Sequence, residues 1–223
     1  MTAGGRPLRL AHRGDSRRAP ENSLAAFVAA LAVPACDGLE FDVRLSADGV
    51  PVICHDDTLD RVQGRPERVD ALTAADLGAI DVPTFAAVLN TVGPRPFLDV
   101  ELKDDPGPAA IEVLTAARGR ILERAVVSSF DPAALERVGR SRPSWPRWFN
   151  SHTLDAATVA GARALGCRGV AVDWQVLDRG SVGLARAAGL EVAAFTVRRR
   201  PTFDRLGRLG VVAVCVEAAA LDG

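Results

Sequence analysis

Short apolar runs alternate along the chain with longer stretches rich in Ala, Leu and Arg. The apolar runs have few polar interruptions, which is typical of strands buried on both faces of a parallel sheet. Prolines near the first turn and glycines after the last turn mark the longer stretches as helices. The pattern predicts strands at residues 8–12, 38–43, 97–102, 125–129, 147–150, 169–173, 191–197 and 211–216, and helices at 22–33, 84–91, 106–118, 132–140, 154–165, 178–188 and 201–209.

This alternation predicts a closed (β/α)8 TIM barrel in the α/β class, formed by residues 1–223 as a single domain. An open, doubly wound sheet is the structural alternative. That fold ordinarily carries a glycine-rich phosphate-binding turn after its first strand, and the sequence has none there. The chain is slightly short for a barrel of this kind, so we expect minimal connections between its elements.

Residues 44–82 interrupt the alternation. The sequence S-A-D-G at 46–49 predicts a tight turn, and V-P-V-I-C at 50–54 predicts a returning strand. Residues 57–80 are polar and irregular, with one short helix expected at 74–77. Such a long connection from strand to helix lies at the C-terminal mouth of a barrel, where active sites are built.

The composition limits the partners that we expect. The 27 basic and 28 acidic side chains give a net charge of −1, whereas nucleic-acid-binding proteins usually have a basic excess. The four cysteines stand apart in apolar surroundings, as small buried side chains in a reducing compartment do. No segment is apolar enough for a signal peptide or a membrane span, so we expect a cytoplasmic protein.

Two carboxylates on the second predicted strand indicate a site. Glu40 and Asp42 are two residues apart, so their side chains point to the same face of the strand. The apolar neighbours Phe41 and Val43 favour a buried strand over an exposed edge with solvated acids. Two buried carboxylates repel each other unless a cation lies between them, so the pair favours a hard metal ion.

The third long strand repeats this arrangement. Asp99, Glu101 and Lys103 share one face of the strand, and apolar residues occupy the other. On an isolated strand, this would be ordinary alternation between solvent and core. In a barrel, the outer face packs on helices, so the polar set points inward towards the mouth.

Two histidines lie near these acids in the predicted barrel. His12 ends the first strand, His55 follows the returning strand, and Arg13 follows His12. Histidines suit acid–base chemistry, and an arginine suits a phosphate. With the carboxylates, they predict metal-assisted cleavage of a phosphate ester. His152 has no acidic neighbour in the sequence, and we assign it no role.

Six motifs then occur in order: A-H-R-G at 11–14, P-E-N-S at 20–23, G-L-E-F-D-V at 38–43, D-G-V-P-V-I-C-H-D at 48–56, L-D-V-E-L-K at 98–103 and S-S-F-D at 128–131. This series resembles the glycerophosphodiester phosphodiesterases, a family of phospholipase-C-like TIM barrels. The similarity is dense over residues 8–61, returns at 83–103 and 125–135, and continues more weakly to the end of the chain. The resemblance implies a barrel fold and a phosphoric diester hydrolase.

The resemblance also implies a divalent cation, Mg²⁺ or Ca²⁺, bound at the positions of Glu40, Asp42 and Glu101. It implies that His12 and His55 are the general acid and base, without indicating which histidine has which role. Whether the glycerol hydroxyl attacks first, to give a cyclic phosphate, stays open at this point.

The remaining positions implied by the resemblance would bind the substrate. Arg13 would bind the phosphate with assistance from Lys103, and Glu21 and Asn22 of the P-E-N motif would lie near the site. Apart from the resemblance, Phe195 lies at the end of a strand; core packing is the plain interpretation and an apolar wall of the pocket is the alternative, and we assign Phe195 to substrate binding.

The sequence departs from the family pattern at two strand ends. W-T-V-N is usual on the seventh strand of the barrel, and the chain has F-T-V-R at 195–198. T-D-x-P is usual after the last strand, and the chain has V-E-A-A at 216–219. The connection after H-D is also shorter than usual. These departures bear on the identity of the substrate, because no acid, base or metal position is lost.

Three functions stay open from the sequence. The first is metal-dependent hydrolysis of a glycerophosphodiester, such as glycerophosphocholine, to glycerol 3-phosphate and an alcohol. The second is a lysophospholipase-D-like or sphingomyelinase-D-like activity, which needs a long apolar groove that short loops do not supply. The third is a non-catalytic barrel that binds polyol phosphates, which would require the loss of a histidine or a metal ligand. The oligomeric state is not indicated.

Overall fold

The computed structural model describes residues 6–105 and 107–223, and its strands form the predicted closed barrel in a single domain. Eight parallel strands close into a ring because β1 pairs with both β2 and β9. The strands are β1 (Leu8–His12), β2 (Gly38–Leu45), β3 (Pro51–Ile53), β4 (Phe97–Leu102), β5 (Ala125–Ser129), β6 (Arg147–Ser151), β7 (Gly169–Asp173), β8 (Glu191–Val197) and β9 (Ala213–Val216), of which β3 is antiparallel to β2 and lies outside the ring.

Helices cover the outside of the barrel, and polar side chains fix where several of them begin. Ser23, Thr84, Asp155 and Asp178 each accept a hydrogen bond from the backbone N–H three residues later, which satisfies a donor of the first turn. The helices are α1 (Leu24–Leu31), α2 (Asp60–Gln63), α3 (Ala74–Gly78), α4 (Phe85–Val92), α5 (Gly107–Arg118), α6 (Pro132–Ser141), α7 (Ala156–Ala164), α8 (Arg179–Ala187), α9 (Arg200–Leu209) and α10 (Ala219–Asp222), with 3₁₀ turns at Val69–Ala71 and Trp174–Val176.

The largest hydrophobic core lies between the strands and the helices. Phe41 of β2 packs between Phe27 of α1 and Phe85 of α4, with ring centroids 5.6 and 5.8 Å apart. All three rings are fully buried, and burial of each contributes roughly 1.5–3 kcal/mol. This packing explains the apolar residues between the acids of β2, because the outward face must contact helices while the inward face stays free for other chemistry.

The interior of the barrel holds a second, smaller core. Trp148 is its largest side chain, and three of its other members are alanines on β7, β8 and β9. Small inward side chains do not fill a ring of eight strands, so the C-terminal end of the barrel stays open as a cavity. This arrangement gives the inward polar residues of β1, β2 and β4 access to a ligand.

The long connection after β2 is more ordered than its polar sequence suggests. Its own buried cluster joins β3 to the loop and includes Val52, Leu59, Val69, Leu77 and Val82. The short helix expected at 74–77 is confirmed as α3. Helix α2 and the 3₁₀ turn were missed, because a single turn has too few residues to show a helical period.

Two predicted boundaries are corrected by hydrogen bonding. The second strand continues through Arg44 and Leu45, because both residues pair with β3. The first helix begins at Leu24 instead of residue 22, because Ser23 is its N-cap and Asn22 has a positive φ of 58°.

The last strand and one helix also differ from the prediction. The strand begins at Ala213 instead of residue 211, since the N–H of Val211 bonds to the carbonyl of Leu206 at the end of α9. The predicted helix at 106–118 starts at Pro106, which lies outside the described residues; α5 is described from Gly107.

All four cysteines are free thiols, and Cys54, Cys167 and Cys215 are buried. Burial raises the pKa of Cys54 and of Cys167 to about 11, so these two thiols stay protonated at neutral pH. Across residues 6–105 and 107–223, no helix has the length and hydropathy needed to cross a membrane.

β2 and β4 lie close together at Gly38. A Cβ atom there would lie 2.0 Å from the carbonyl oxygen of Phe97 and 2.7 Å from its carbonyl carbon. We expect Gly38→Ala to lower the free energy of unfolding by roughly 2–3 kcal/mol or more, because one strand must move. Chemical denaturation of the two proteins measures this difference.

The matched control is Gly183→Ala in α8, where an added Cβ would meet no atom within 4 Å. Alanine is the better helix former, so the free energy of unfolding should be unchanged or should rise by up to about 1 kcal/mol. Equal losses of stability in the two variants would contradict the close approach of β2 and β4.

Candidate active site

The C-terminal ends of the strands bring the predicted site residues to one end of the barrel. A cavity of about 310 Å³ opens there. Asp42 is fully buried, while the other seven predicted site residues line the cavity: His12, Arg13, Glu40, His55, Glu101, Lys103 and Phe195.

Glu40, Asp42 and Glu101 form a group of buried carboxylates. One oxygen of each lies within 4.8 Å of the others, and the three residues are 4%, 0% and 9% exposed. The sheet register explains the grouping, because Asp42 is directly opposite Glu101 across β2 and β4. Glu40 joins them because it is two residues from Asp42 on the same strand face.

The electrostatics of this group fit a bound cation. Neither carboxylate oxygen of Glu40 has a hydrogen-bond partner among the described residues. Burial, and then the charges of Asp42 and Glu101, raise the pKa of Glu40 well above its ordinary value. A hard divalent cation prefers such oxygen ligands and would relieve the repulsion, so the donor set fits Mg²⁺- or Ca²⁺-type ions.

Two basic side chains offset part of this negative charge. Arg13 Nε and Lys103 Nζ each lie 3.1 Å from a different oxygen of Asp42, and Lys103 also pairs with Glu101. Burial alone would raise the pKa of Asp42, but Lys103 and Arg13 outweigh it and lower that pKa. The carboxylates in turn raise the pKa of Lys103 against its own burial. Both basic groups therefore stay charged at the edge of the cavity.

Glu217 fixes the ring of His12. His12 Nδ1 lies 2.6 Å from Glu217 Oε1, and its Nε2 lies 3.8 Å from Glu40 Oε2. The hydrogen bond with His12 is the main reason that the pKa of Glu217 falls to about 2. Arg198 Nε donates a second hydrogen bond of 2.8 Å to the other oxygen of Glu217. The imidazole is thus held at Nδ1, which leaves Nε2 on the side of the carboxylates.

Asp56 holds His55 in a similar way. Their side chains meet at 2.6 Å between Nδ1 and Oδ1. Burial lowers the pKa of His55, although the charge of Asp42 and the hydrogen bond to Asp56 oppose the shift. The neutral imidazole is therefore favoured at neutral pH.

A chain of ion pairs connects His55 to Arg13. Asp56 accepts a hydrogen bond of 2.7 Å from Arg61, and Arg61 donates two more, of 2.7 and 2.9 Å, to Glu21. Glu21 also accepts a hydrogen bond of 3.0 Å from Arg13. Arg61 lies on α2, so the long connection after β2 supports both a histidine and the arginine of the site.

The P-E-N motif lies beside the carboxylates. Asn22 Nδ2 donates a hydrogen bond of 2.9 Å to Asp42 Oδ2, and the neighbouring Glu21 pairs with Arg13. The positive φ of Asn22 turns its side chain back towards β2 before α1 begins.

Sequence reasoning assigned no role to Asp56, Arg61 or Glu217. Asp56 could have been found, because it follows His55 directly. Glu217 had a weaker signal, since it follows the strand that closes the barrel against β1 and therefore lies near His12. No signal in the sequence indicated Arg61, because its partners Asp56 and Glu21 are 5 and 40 residues away along the chain.

The structure gives His152 an acidic neighbour that is distant from it in the sequence. Its Nδ1 lies 3.2 Å from Asp173 Oδ2, which the end of β7 supplies. Its ring stacks on Phe130 with centroids 4.9 Å apart, and Phe130 meets Phe195 edge to face at 5.8 Å. The three rings form an aromatic wall of the cavity, and Phe195 lines it as expected.

Comparison with known proteins identifies the family of this chain. The model of the Glycerophosphoryl diester phosphodiesterase family matches residues 12–221. The chain belongs to this family. The predicted family, fold and enzyme class are therefore confirmed.

Individual relatives extend the comparison to the family. A glycerophosphodiester phosphodiesterase of Caldanaerobacter subterraneus subsp. tengcongensis is 32% identical over 61% of this chain and 63% of its own length. The YhdW protein of Bacillus subtilis is 30% identical over 91% of this chain and 90% of its own.

Solved structures of the family have the same barrel. A phosphodiesterase of Oleispira antarctica, solved with the product sn-glycerol-3-phosphate, superposes with a TM-score of 0.83 at 29% identity, covering 94% of this chain and 92% of its own. A glycerophosphodiester phosphodiesterase of Agrobacterium tumefaciens gives a TM-score of 0.80 at 26% identity, and the match covers 97% of this chain and 98% of the other.

Glu217 should make stability depend on pH in the acid range. Its pKa of about 2 lies below the ordinary value of 4.5, so its contribution is present above pH 4.5 and is lost towards pH 2. We expect Glu217→Gln to lower the free energy of unfolding by roughly 1–2 kcal/mol at pH 6, after allowance for partial solvent screening. Denaturation curves between pH 7 and 3 should show the difference shrinking below pH 4.5.

The control for this experiment is Glu136→Gln, which removes an exposed pair with Arg140 on α6. Such pairs contribute a few tenths of a kcal/mol, so this variant should differ little from the unchanged protein at any pH. A Glu217→Gln effect that stayed constant in acid would contradict the lowered pKa.

Proposed function

We propose that this protein is a metal-dependent phosphodiesterase that cleaves glycerophosphodiesters to glycerol 3-phosphate and an alcohol. The observation that carries the proposal is the group of three buried carboxylates, two of which line one cavity together with two histidines and two basic residues. The product bound to the Oleispira antarctica relative supports the same reaction. We further propose that residues 1–223 act as one catalytic domain, in keeping with the family match to 12–221.

We assign Glu40, Asp42 and Glu101 as the ligands of Mg²⁺ or Ca²⁺. When bound, the cation supplies Lewis-acid stabilisation of the negative charge on the phosphate oxygens. The unpartnered oxygens of Glu40 support this assignment, because an unpaired buried carboxylate is otherwise costly.

Arg13 and Lys103 bind the phosphate in this proposal. Both side chains line the cavity, and carboxylates hold both in place. Arg13 pairs with Glu21 and Asp42. Lys103 pairs with Asp42 and Glu101. Fixed positive charges of this kind stabilise a transition state without having to reorganise during the reaction.

His12 and His55 transfer the protons. One removes a proton from the attacking hydroxyl, of water or of the substrate's own glycerol, and the other gives a proton to the leaving alcohol. Attack by glycerol gives a cyclic phosphate, which water must then open, with cleavage of one ring P–O bond, to give glycerol 3-phosphate. Carboxylates hold Nδ1 of both rings, so Nε2 of each ring is the atom that exchanges a proton. Glu217 and Asp56 are positioning residues in this scheme.

The size of the cavity favours a small diester. About 310 Å³ is at the low end for a ligand pocket and suits a glycerophosphodiester better than a lipid with a long acyl chain. Phe195 forms an apolar wall for the carbon atoms of the substrate. A purely binding role is disfavoured, since every acid, base and metal position is occupied by a competent side chain.

The test is release of glycerol 3-phosphate from a panel of glycerophosphodiesters, with Mg²⁺, Ca²⁺ or EDTA. We expect turnover with one of the two ions and none with EDTA. His12→Ala and His55→Ala should each lower turnover by at least roughly 100-fold, because each removes a group that transfers a proton. Circular dichroism of the variants checks that the barrel still folds.

Turnover at full rate in EDTA would end the proposed metal dependence. Near-normal rates in either histidine variant would end the acid–base assignment. Release from a lysolipid, but from no small diester in the panel, would favour the lipid phosphodiesterase alternative.

Glu40→Gln should weaken binding of the metal ion. The change removes one charge from a hard-ion site but keeps the size of the side chain, so we expect at least about tenfold weaker binding by calorimetry. The unfolding midpoint without metal should not fall, because the repulsion among the carboxylates decreases. Glu112→Gln, on the exposed face of α5, is the control, and equal affinities in the two variants would exclude Glu40 as a ligand.

A further inference from the structure

The walls of the cavity differ in chemistry. The charged residues that we assign to the reaction come from β1, β2, β4 and the loop after β3. The opposite wall comes from β6, β7 and β8, because β6 lies four strands away from β1 around the ring. This neutral wall contains Asn150, His152, Ala171, Phe195 and Thr196.

Asn150 is the buried polar residue of the neutral wall. It is 4% exposed, lines the cavity, and follows Trp148 on the inward face of β6. Its side-chain oxygen Oδ1 has no hydrogen-bond partner among the described residues. The residue lies outside the carboxylate group that fits a cation.

The neighbouring strands do not supply a partner for this amide. Ala171 is directly opposite Asn150 on β7 and has no polar side chain. On β5, the inward Ser128 donates its hydroxyl to Asp99. The inward polar groups on both sides of Asn150 are thus absent or already paired.

An unpaired amide in a buried position costs about 1–3 kcal/mol. An apolar residue would have avoided that cost, as Ala171 does on the next strand. The cation accounts for the unpaired oxygens of Glu40 but not for Asn150, so a second group with hydrogen-bonding capacity is needed on the neutral wall.

We propose that Asn150 is a specificity-determining residue that hydrogen-bonds a hydroxyl group of the substrate. The inference rests on the proposed function and names the chemistry that the neutral wall selects. A hydroxyl suits the amide, because it can donate to Oδ1 and accept from Nδ2 at once. Phe130 and Phe195 contact the carbon atoms of the same arm, meaning the ester substituent of the phosphate that carries this hydroxyl. The hydroxyl belongs either to the glycerol or to the alcohol that leaves.

The experiment compares pairs of substrates that differ by one hydroxyl. The first pair is glycerophosphocholine and its analogue without the hydroxyl on glycerol carbon 1. The second pair is glycerophosphoglycerol and glycerophospho-1,2-propanediol, which differ only by the terminal hydroxyl of the leaving alcohol. kcat/KM is measured for the unchanged protein, for Asn150→Leu and for the less disruptive Asn150→Ala. Asn90→Ala, on an exposed position of α4, is the control.

We expect the unchanged protein to prefer the hydroxylated member of one pair by about tenfold or more, since a site built to bind a hydroxyl rejects an analogue without it. Both Asn150 variants should abolish this preference and leave kcat/KM for the deoxy substrate within about threefold. The pair that responds identifies which arm contacts Asn150. Asn90→Ala should keep both preferences.

An unchanged preference in Asn150→Ala would overturn the proposal and leave the amide as the partner of a buried water. A loss of kcat/KM that is equal for both members of each pair would also overturn it, because that result indicates a structural role.

A binding measurement separates this inference from the proposed function. If the unchanged protein hydrolyses no diester, the proposed function fails, and calorimetry with Mg²⁺ or Ca²⁺ then tests Asn150 alone. Glycerol 3-phosphate should bind more tightly than propyl phosphate, and Asn150→Ala should remove the difference. Equal affinities for these two phosphates, together with equal affinities for the two members of the glycerophosphoglycerol pair, would overturn the role of Asn150 as well.

Discussion

The burial of three carboxylates at one end of the barrel is the constraint on which the site depends. Each carboxylate taken out of water costs several kcal/mol unless an opposite charge compensates it. Arg13 and Lys103 supply two positive charges against the three negative ones of Glu40, Asp42 and Glu101. The residual negative charge is the physical reason that the group favours a cation. The same two basic residues thereby offset the buried negative charge and face the cavity, where we propose that they bind the phosphate.

A further set of carboxylates orients the side chains around that group. Glu217 holds His12, Asp56 holds His55, and Glu21 holds Arg13. Arg61 joins Asp56 to Glu21, and the helix that carries Arg61 is part of the long connection after β2. The small apolar cluster of that connection therefore has a role at the site, since it keeps the helix in place. Loosening this loop would disturb a histidine and an arginine together.

The sequence predicted what depends on local periodicity. The apolar runs located all eight barrel strands, and the two-residue spacing of Glu40 and Asp42 put both on one face, where the structure has them. It did not predict pairings between distant segments, such as Glu217 with His12 or His152 with Asp173. No local pattern encodes these pairs, because they arise only when the barrel closes and neighbouring strand ends meet.

Closure also explains two departures from the family pattern. Glu217 stands where the family has the aspartate of T-D-x-P, and Arg198 stands where it has the asparagine of W-T-V-N. The departures involve one contact, because Arg198 donates to the Glu217 oxygen that His12 leaves free. Glu217 thus keeps one carboxylate oxygen on His12, and Arg198 pairs with the other oxygen. A carboxylate contact to His12, to which we assign proton transfer, is thus preserved, whereas Phe195 changes the neutral wall, where we propose that the substrate is selected.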